Sequence, residues 1–124
     1  MIAIERDCGL EVALSVIGGK WKPIVLFHLN GGPRRYGELK RLVTGISEKV
    51  LIQQLRELAR DGIIQRRDYQ EVPPRVDYEM TEFGQSLSVA LVPLCDWGTA
   101  NRARVQALFA EPAASGELFK QGAV

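Results

Sequence analysis

The sequence offers little to build catalytic or metal-binding chemistry from. It has one histidine, His28, set among Ile24, Val25, Leu26 and Leu29 with no cysteine or carboxylate cluster beside it. A general base or a metal site there has nothing to work with. The two cysteines, Cys8 and Cys95, are too few and too far apart for a disulfide scaffold. There is no phosphate-binding loop, no nucleophile elbow and no zinc spacing. No enzyme activity, cofactor or metal is therefore expected. No run of 18 apolar residues occurs, so no membrane span is expected. The opening MIAIERDCGLEV carries acids early and lacks the apolar core of a signal peptide, which makes the cytoplasm the expected compartment. Net charge is only +1 over 124 residues, which leaves the charge distribution as the useful quantity.

That distribution is uneven. Residues 34–75 hold ten Lys/Arg against six acids, a surplus of four, while the rest of the chain holds six against nine. A basic middle between acidic flanks suits a polyanionic partner that meets only the middle. Within it lies ISEKVLIQQLRELARDG, residues 46–62. At helical spacing Leu51, Leu55 and Leu58 share one side, and Lys49, Gln53, Arg56 and Arg60 share the other. The first set needs a core. The second carries cations for phosphates and guanine edges and an amide for adenine. Ser47 is placed to cap the helix, Ile46 and Leu51 stand at staple spacing, and Asp61-Gly62 ends it with Ile63 facing Leu58. A solvated face is the bland alternative for such a helix, and its neighbours decide between the two.

The flanking pattern supplies context. Residues 10–18 read as a short apolar helix broken by Gly18-Gly19, followed by a helix from Trp21 to Leu29 with Pro23 in its first turn. Asn30-Gly31-Gly32-Pro33 stops it, and Arg34-Arg35 reads as a short extended piece. A third helix, Tyr36–Val43, is expected to turn Leu39, Leu42 and Val43 inward. Thr44-Gly45 then turns the chain into the helix Ser47–Asp61, completing a helix-turn-helix. Ile64–Gln70 and Arg75–Met80 follow as strands joined by Glu71-Val72-Pro73-Pro74. In the second strand Val76, Tyr78 and Met80 alternate with Arg75, Asp77 and Glu79, which predicts a wet face for the latter three. A basic hairpin after a helix-turn-helix is a wing. The last helix, from Glu82 to about Phe109 and capped by Thr81, is apolar on more than one side. Leu87, Leu91 and Leu94 form one stripe, and Val89, Val92 and Trp97 lie elsewhere. A second apolar face implies a partner subunit. Pro93 is expected to kink or split this helix. For Cys95, packing in a core or interface is the default; for Trp21 and Trp97 it is anchoring in the core, with ligand stacking the minority reading. Residues 8–106 read as one domain and 110–124 as a tail. The fold class is mainly α with a small β-hairpin: a winged helix-turn-helix.

These residues resemble the HxlR-type transcriptional regulators, winged-helix proteins akin in form to the MarR group. The resemblance rests on a succession of pieces. It opens with Cys8, Gly18-Gly19-Lys20-Trp21-Lys22, Gly32 through Leu39 and Gly45-Ile46-Ser47. It continues through Leu51, Gln54 through Leu58, Asp61 through Ile64 and Arg66. It closes with Val72 through Val76, Tyr78, Met80-Thr81, Gly84 and Trp97-Gly98. The family usually has Pro where this chain has Gly9, and Phe more often than Tyr at position 36. The resemblance implies a homodimer joined through the terminal helices, binding double-stranded DNA at inverted-repeat operators. It also implies a response to oxidants or electrophiles through a cysteine before the first helix, the place of Cys8.

The expected DNA contacts are thus Lys49, Gln53 and Arg56 in the groove, with Ser47 on a phosphate; Arg60, nearer the C-terminal end of the helix, suits a phosphate or the helix dipole equally well. Arg66, Arg67 and Arg75 of the wing are expected on backbone or minor groove. Cys8 is the candidate redox sensor; it follows Asp7, an acid that raises a thiol pKa, and Arg6, a cation that lowers it. Two other classes remain open at this stage: a winged-helix module that binds protein and not DNA, and a small ligand-binding dimer.

Overall fold

The computed structural model describes residues 9–110. The chain divides into two compact units, Met1–Val89 and Ala90–Val124. In the first unit α1 (Gly9–Ile17) and α2 (Trp21–Leu29) meet at 81°. Gly19 sits between them with φ +92°, a left-handed turn that a side chain would resist. β1 (Arg34–Arg35), α3 (Tyr36–Leu42), α4 (Glu48–Arg60), β2 (Ile64–Asp68) and β3 (Val76–Met80) follow, and α5 (Glu82–Ala100) begins in this unit. The three strands form one antiparallel sheet in the order β1-β3-β2. This is a winged helix-turn-helix, as expected. The strands are shorter than their sequence pattern, and the pairing of Arg34-Arg35 with β3 adds a third strand to the wing.

The core is assembled from α2, α3, α4 and the start of β2. Val25, Leu26, Leu29, Leu39, Val43, Ile46, Leu51, Leu55, Leu58, Ile63 and Ile64 are all buried. Leu39 of α3 and Val43, which caps the end of that helix, stand four apart and both turn inward. Leu42, expected with them, is exposed because it is rotated off that seam. The leucine side of α4 is held tightly, since each fully buried leucine contributes about 1.5–3 kcal/mol relative to water.

Both ends of α4 form as its sequence dictates. The Ser47 hydroxyl accepts from the Val50 N–H at 3.1 Å. At the other end the Ile63 N–H donates to the Leu58 carbonyl at 2.9 Å and the Gly62 N–H to the Ala59 carbonyl at 3.1 Å, with Gly62 at φ +75°. That pair of bonds is a Schellman motif. The exit from α4 is then tied to the start of α5. Thr81 donates its hydroxyl to the Gly62 carbonyl at 2.6 Å, and its N–H to the Ile63 carbonyl at 3.0 Å. The same hydroxyl accepts from the Gly84 N–H at 3.0 Å, the cap foreseen for the last helix. Gly84 is buried against the Ile63 carbonyl, where a Cβ would collide. Ser88, one turn on, bonds Asn30 at the end of α2 at 3.2 Å.

The second unit contains the rest of α5 and then α6 (Arg102–Leu108). Pro93 does not split α5. Its missing N–H costs one bond and the turns on either side carry the helix through. The interruption falls instead at Asn101, whose backbone and side-chain N–H groups both donate to the Trp97 carbonyl, at 3.0 and 2.9 Å. Val92, Leu94 and Trp97 are exposed, Trp97 at 59%. Trp97 is thus no core anchor, and Leu94 is exposed while Leu87 and Leu91 of the same stripe are half-buried. Among the described residues no single helix is long and apolar enough to cross a membrane.

Candidate nucleic-acid interface

With the leucine seam buried, α4 turns Lys49, Gln53, Arg56 and Arg60 to solvent along one face. Ser47 is also exposed, at the start of the helix. Its oxygen is engaged as the cap, and its hydroxyl proton is left to donate to a phosphate. The four outward residues differ in their ties. Lys49 and Arg56 form no ion pair among the described residues. Arg60 is held by Asp61 at 3.0 Å, and this contact raises the guanidinium pKa and lowers that of the carboxyl. Gln53 donates to Glu57 at 3.1 Å. Glu57 also accepts from Lys22 of α2, and the Lys22 bond is the main cause holding the Glu57 carboxyl below its ordinary range.

The wing arginines are arranged differently. Arg66 is exposed and forms no ion pair among the described residues. Arg67 pairs with Glu79 of β3, and Glu79 also accepts from Gln65 at 2.6 Å. Arg75 is turned onto the protein. Its guanidinium reaches Asp77 at 3.2 Å and lies over the Tyr69 ring at 4.3 Å, and the Asp77 bond raises its pKa further. Asp77 itself departs from expectation. The alternating pattern assigns it to a wet face, yet it is 5% exposed and is the most buried residue of β3. The cause is lateral. Arg35 of β1 stands opposite it in register and approaches to 3.9 Å, while Arg75 covers it from two residues upstream. The guanidinium groups of Arg35 and Arg75 stand where water would otherwise meet this side chain.

Several residues of this surface have no mark in the sequence. Glu57 stands four residues after Gln53, a helical-neighbour spacing that is visible. Lys22 lies 35 residues away from Glu57, and only the fold joins them. Arg35 becomes a partner of Asp77 only through the β1–β3 pairing. Tyr36, at the start of α3, buries its hydroxyl without a well-formed hydrogen bond. Burial first, then the nearby Glu48 carboxylate, raise its pKa. His28 is half-buried. Its pKa is lowered by burial and then by Arg34, whose Nε donates to the His28 carbonyl at 3.1 Å. Among the described residues no group of three or more His, Cys, Asp or Glu is placed to hold a metal ion. Cys8 lies outside the described residues; Cys95 is exposed on α5 as a free thiol.

Comparison with known proteins agrees with this geometry. A family model described as HxlR-like helix-turn-helix matches residues 16–106. The chain is 53% identical over 92 residues to YkvN of Bacillus subtilis (strain 168), covering 74% of this chain and 78% of that protein. It is 52% identical over 101 residues to YtcD of the same organism, covering 82% and 80%. Both carry the name of uncharacterized HTH-type transcriptional regulators. Among solved structures it resembles the redox regulator HypR. The reduced form matches with TM-score 0.74 at 42% identity over 79% of this chain and 97% of that one. The oxidized form matches with TM-score 0.72 at 44% identity over 76% and 97%. With its helix-turn-helix, its basic outward face and its wing, the chain belongs to the HxlR-like helix-turn-helix family of DNA-binding transcriptional regulators.

Proposed function

We propose that the protein is a homodimeric regulator that binds an inverted-repeat operator, with α4 of each subunit in the major groove and the wing on adjacent backbone. One observation carries this reading. The helix whose leucine side is sealed in the core presents Lys49, Gln53, Arg56 and Arg60 together on the opposite side. Arg56 forks onto a guanine edge, Lys49 and Ser47 meet phosphate, and Gln53 reads adenine. Arg60, nearer the helix end and held by Asp61, is a phosphate contact. In the wing Arg66 and Arg67 reach the backbone, and Arg75 sets the shape of the tip. Residues 8–106 act as the DNA-binding domain. A second subunit covers the apolar residues left in water on the terminal helices, Leu10, Val12 and Leu14 of α1 and Val89, Val92 and Trp97 of α5. Two-fold symmetry then sets the half-sites about 34 Å apart, or a multiple of it. Such a protein works where the chromosome is, in the cytoplasm.

Affinity for selected DNA, followed by fluorescence anisotropy across a range of salt, tests the reading. Neutralised phosphates release counterions, so affinity falls steeply as salt rises. Binding that ignores salt overturns the proposed contacts, and a monomer by sedimentation overturns the paired half-sites.

Kinship with a protein named as a redox regulator supports a second element, an oxidant or other small-molecule effector acting through Cys8. Operator release on mild oxidation by the native chain, lost in Cys8→Ser, is the expected result. Identical release by both ends the sensor role.

A further inference from the structure

The outward amide of Gln53 is held at one end. Its Nε2 donates to Glu57 Oε2 at 3.1 Å, while Glu57 Oε1 accepts from Lys22 Nζ. Lys22 projects from α2, a core helix, and its side chain is only 12% exposed, so the far end of this chain of bonds is anchored in the body of the domain. Glu57 is half-buried between the two. An ionised carboxylate accepts hydrogen bonds and has none to give. Only the NH2 end of Gln53 fits against it, and the orientation of the amide follows from chemistry. What Gln53 then offers outward is one N–H and one carbonyl oxygen. Adenine presents the matching pair in the major groove, an acceptor at N7 and a donor at N6, whereas guanine presents two acceptors. Without Glu57 the amide is free to flip and offers two N–H groups as readily.

We propose that Lys22 and Glu57 are positioning residues that fix Gln53 in the orientation that accepts adenine and rejects guanine. The inference rests on the assignment of α4 to the major groove and adds the base that Gln53 prefers and the reason. It also accounts for an acid on a DNA-facing helix, where its charge alone would repel phosphate. Lys22 offsets that charge, and the carboxylate serves to aim a neighbour.

The test uses the full chain and a site obtained by in vitro selection. Dissociation constants are measured for that site and for each single base-pair replacement, after thermal melting has checked that each variant folds. Gln53→Ala abolishes discrimination at one A·T pair. Lys22→Met and Glu57→Ala each lower discrimination at that same pair by about tenfold and leave the other pairs as they were. Glu57→Gln is sharper. Its carbonyl accepts from Lys22 and its NH2 faces Gln53, which turns the Gln53 carbonyl inward and both N–H groups outward. Preference at that pair moves from adenine towards guanine. Loss spread evenly over all pairs, or wild-type discrimination in Lys22→Met and Glu57→Ala, overturns the positioning role while the α4 assignment stands. A Gln53→Ala protein that discriminates at every pair like the parent overturns both.

Discussion

The recognition helix and the wing are both basic, but they hold their charges in different ways. On α4, Lys49 and Arg56 stand clear of acids, and the helix is gripped by Leu51, Leu55 and Leu58 on its other side. On the wing, Arg35, Arg67 and Arg75 are each paired with Asp77 or Glu79, and apolar burial is slight beyond Ile64. One element is fixed by hydrophobic packing and keeps two cations, Lys49 and Arg56, available to a partner, Arg60 being held by Asp61. The other has little core to rest on and takes its shape from ion pairs across a small sheet. The lesson is that a count of arginines does not measure a DNA-binding surface. What matters is which acids already occupy them.

The largest effect should come from the packed side of α4. Leu55→Ala removes a fully sealed side chain and should cost about 2–5 kcal/mol by chemical denaturation, with DNA binding lost as a consequence. Arg56→Ala is the contrast. Stability should stay within about 0.5 kcal/mol of the parent, while affinity drops by about 1–3 kcal/mol and selectivity relaxes at one base pair. If the two variants behave alike, the division between a packed and a reading side is wrong. Thr81→Val removes the hydroxyl bonds that join the exit of α4 to the start of α5, leaving the backbone bond to Ile63, and should lower stability by about 1 kcal/mol. Asp77→Asn probes the wing. Simple charge counting expects tighter DNA binding when an acid is removed. If ion pairs give the wing its shape, affinity should fall severalfold instead, with a shallower salt dependence as Arg35 and Arg75 lose their anchor.

The smallest effect concerns acid. The Glu57 carboxyl lies below its ordinary value of 4.5 because it bonds Lys22 and Gln53. A depressed carboxyl binds fewer protons in the folded chain than in the unfolded one. Its contribution is therefore complete above about pH 4.5 and is lost as pH falls through the lowered folded value. Denaturation midpoints measured from pH 6 downward should show a shallower acid limb in Lys22→Met than in the parent.

Much of this was legible before folding because it is local. The cap at Ser47, the Schellman exit at Gly62 and the cap at Thr81 each depend on residues within one or two turns. The opposition of leucine and polar faces on α4 follows from helical period alone. The failures are of another kind. Alternation assigned Asp77 to water, because a strand read alone does not show that arginines from β1 and from its own end close over it. Pro93 is a candidate to kink or split its helix, yet the helix runs on through it and the interruption lies at Asn101. Trp97 was given to a core by its size, yet it stands exposed.

The sequence by itself determined the helices of the first unit, both ends of α4, the order of helix-turn-helix and wing, and which side of α4 is apolar. Backbone geometry and neighbour spacing are enough for those. Only the tertiary structure decided which arginines are already taken, that Lys22 meets Glu57 across 35 residues, and that Asp77 is buried among guanidinium groups. Pairing of charges depends on distance in space, and distance in space between remote residues exists only once the chain has packed.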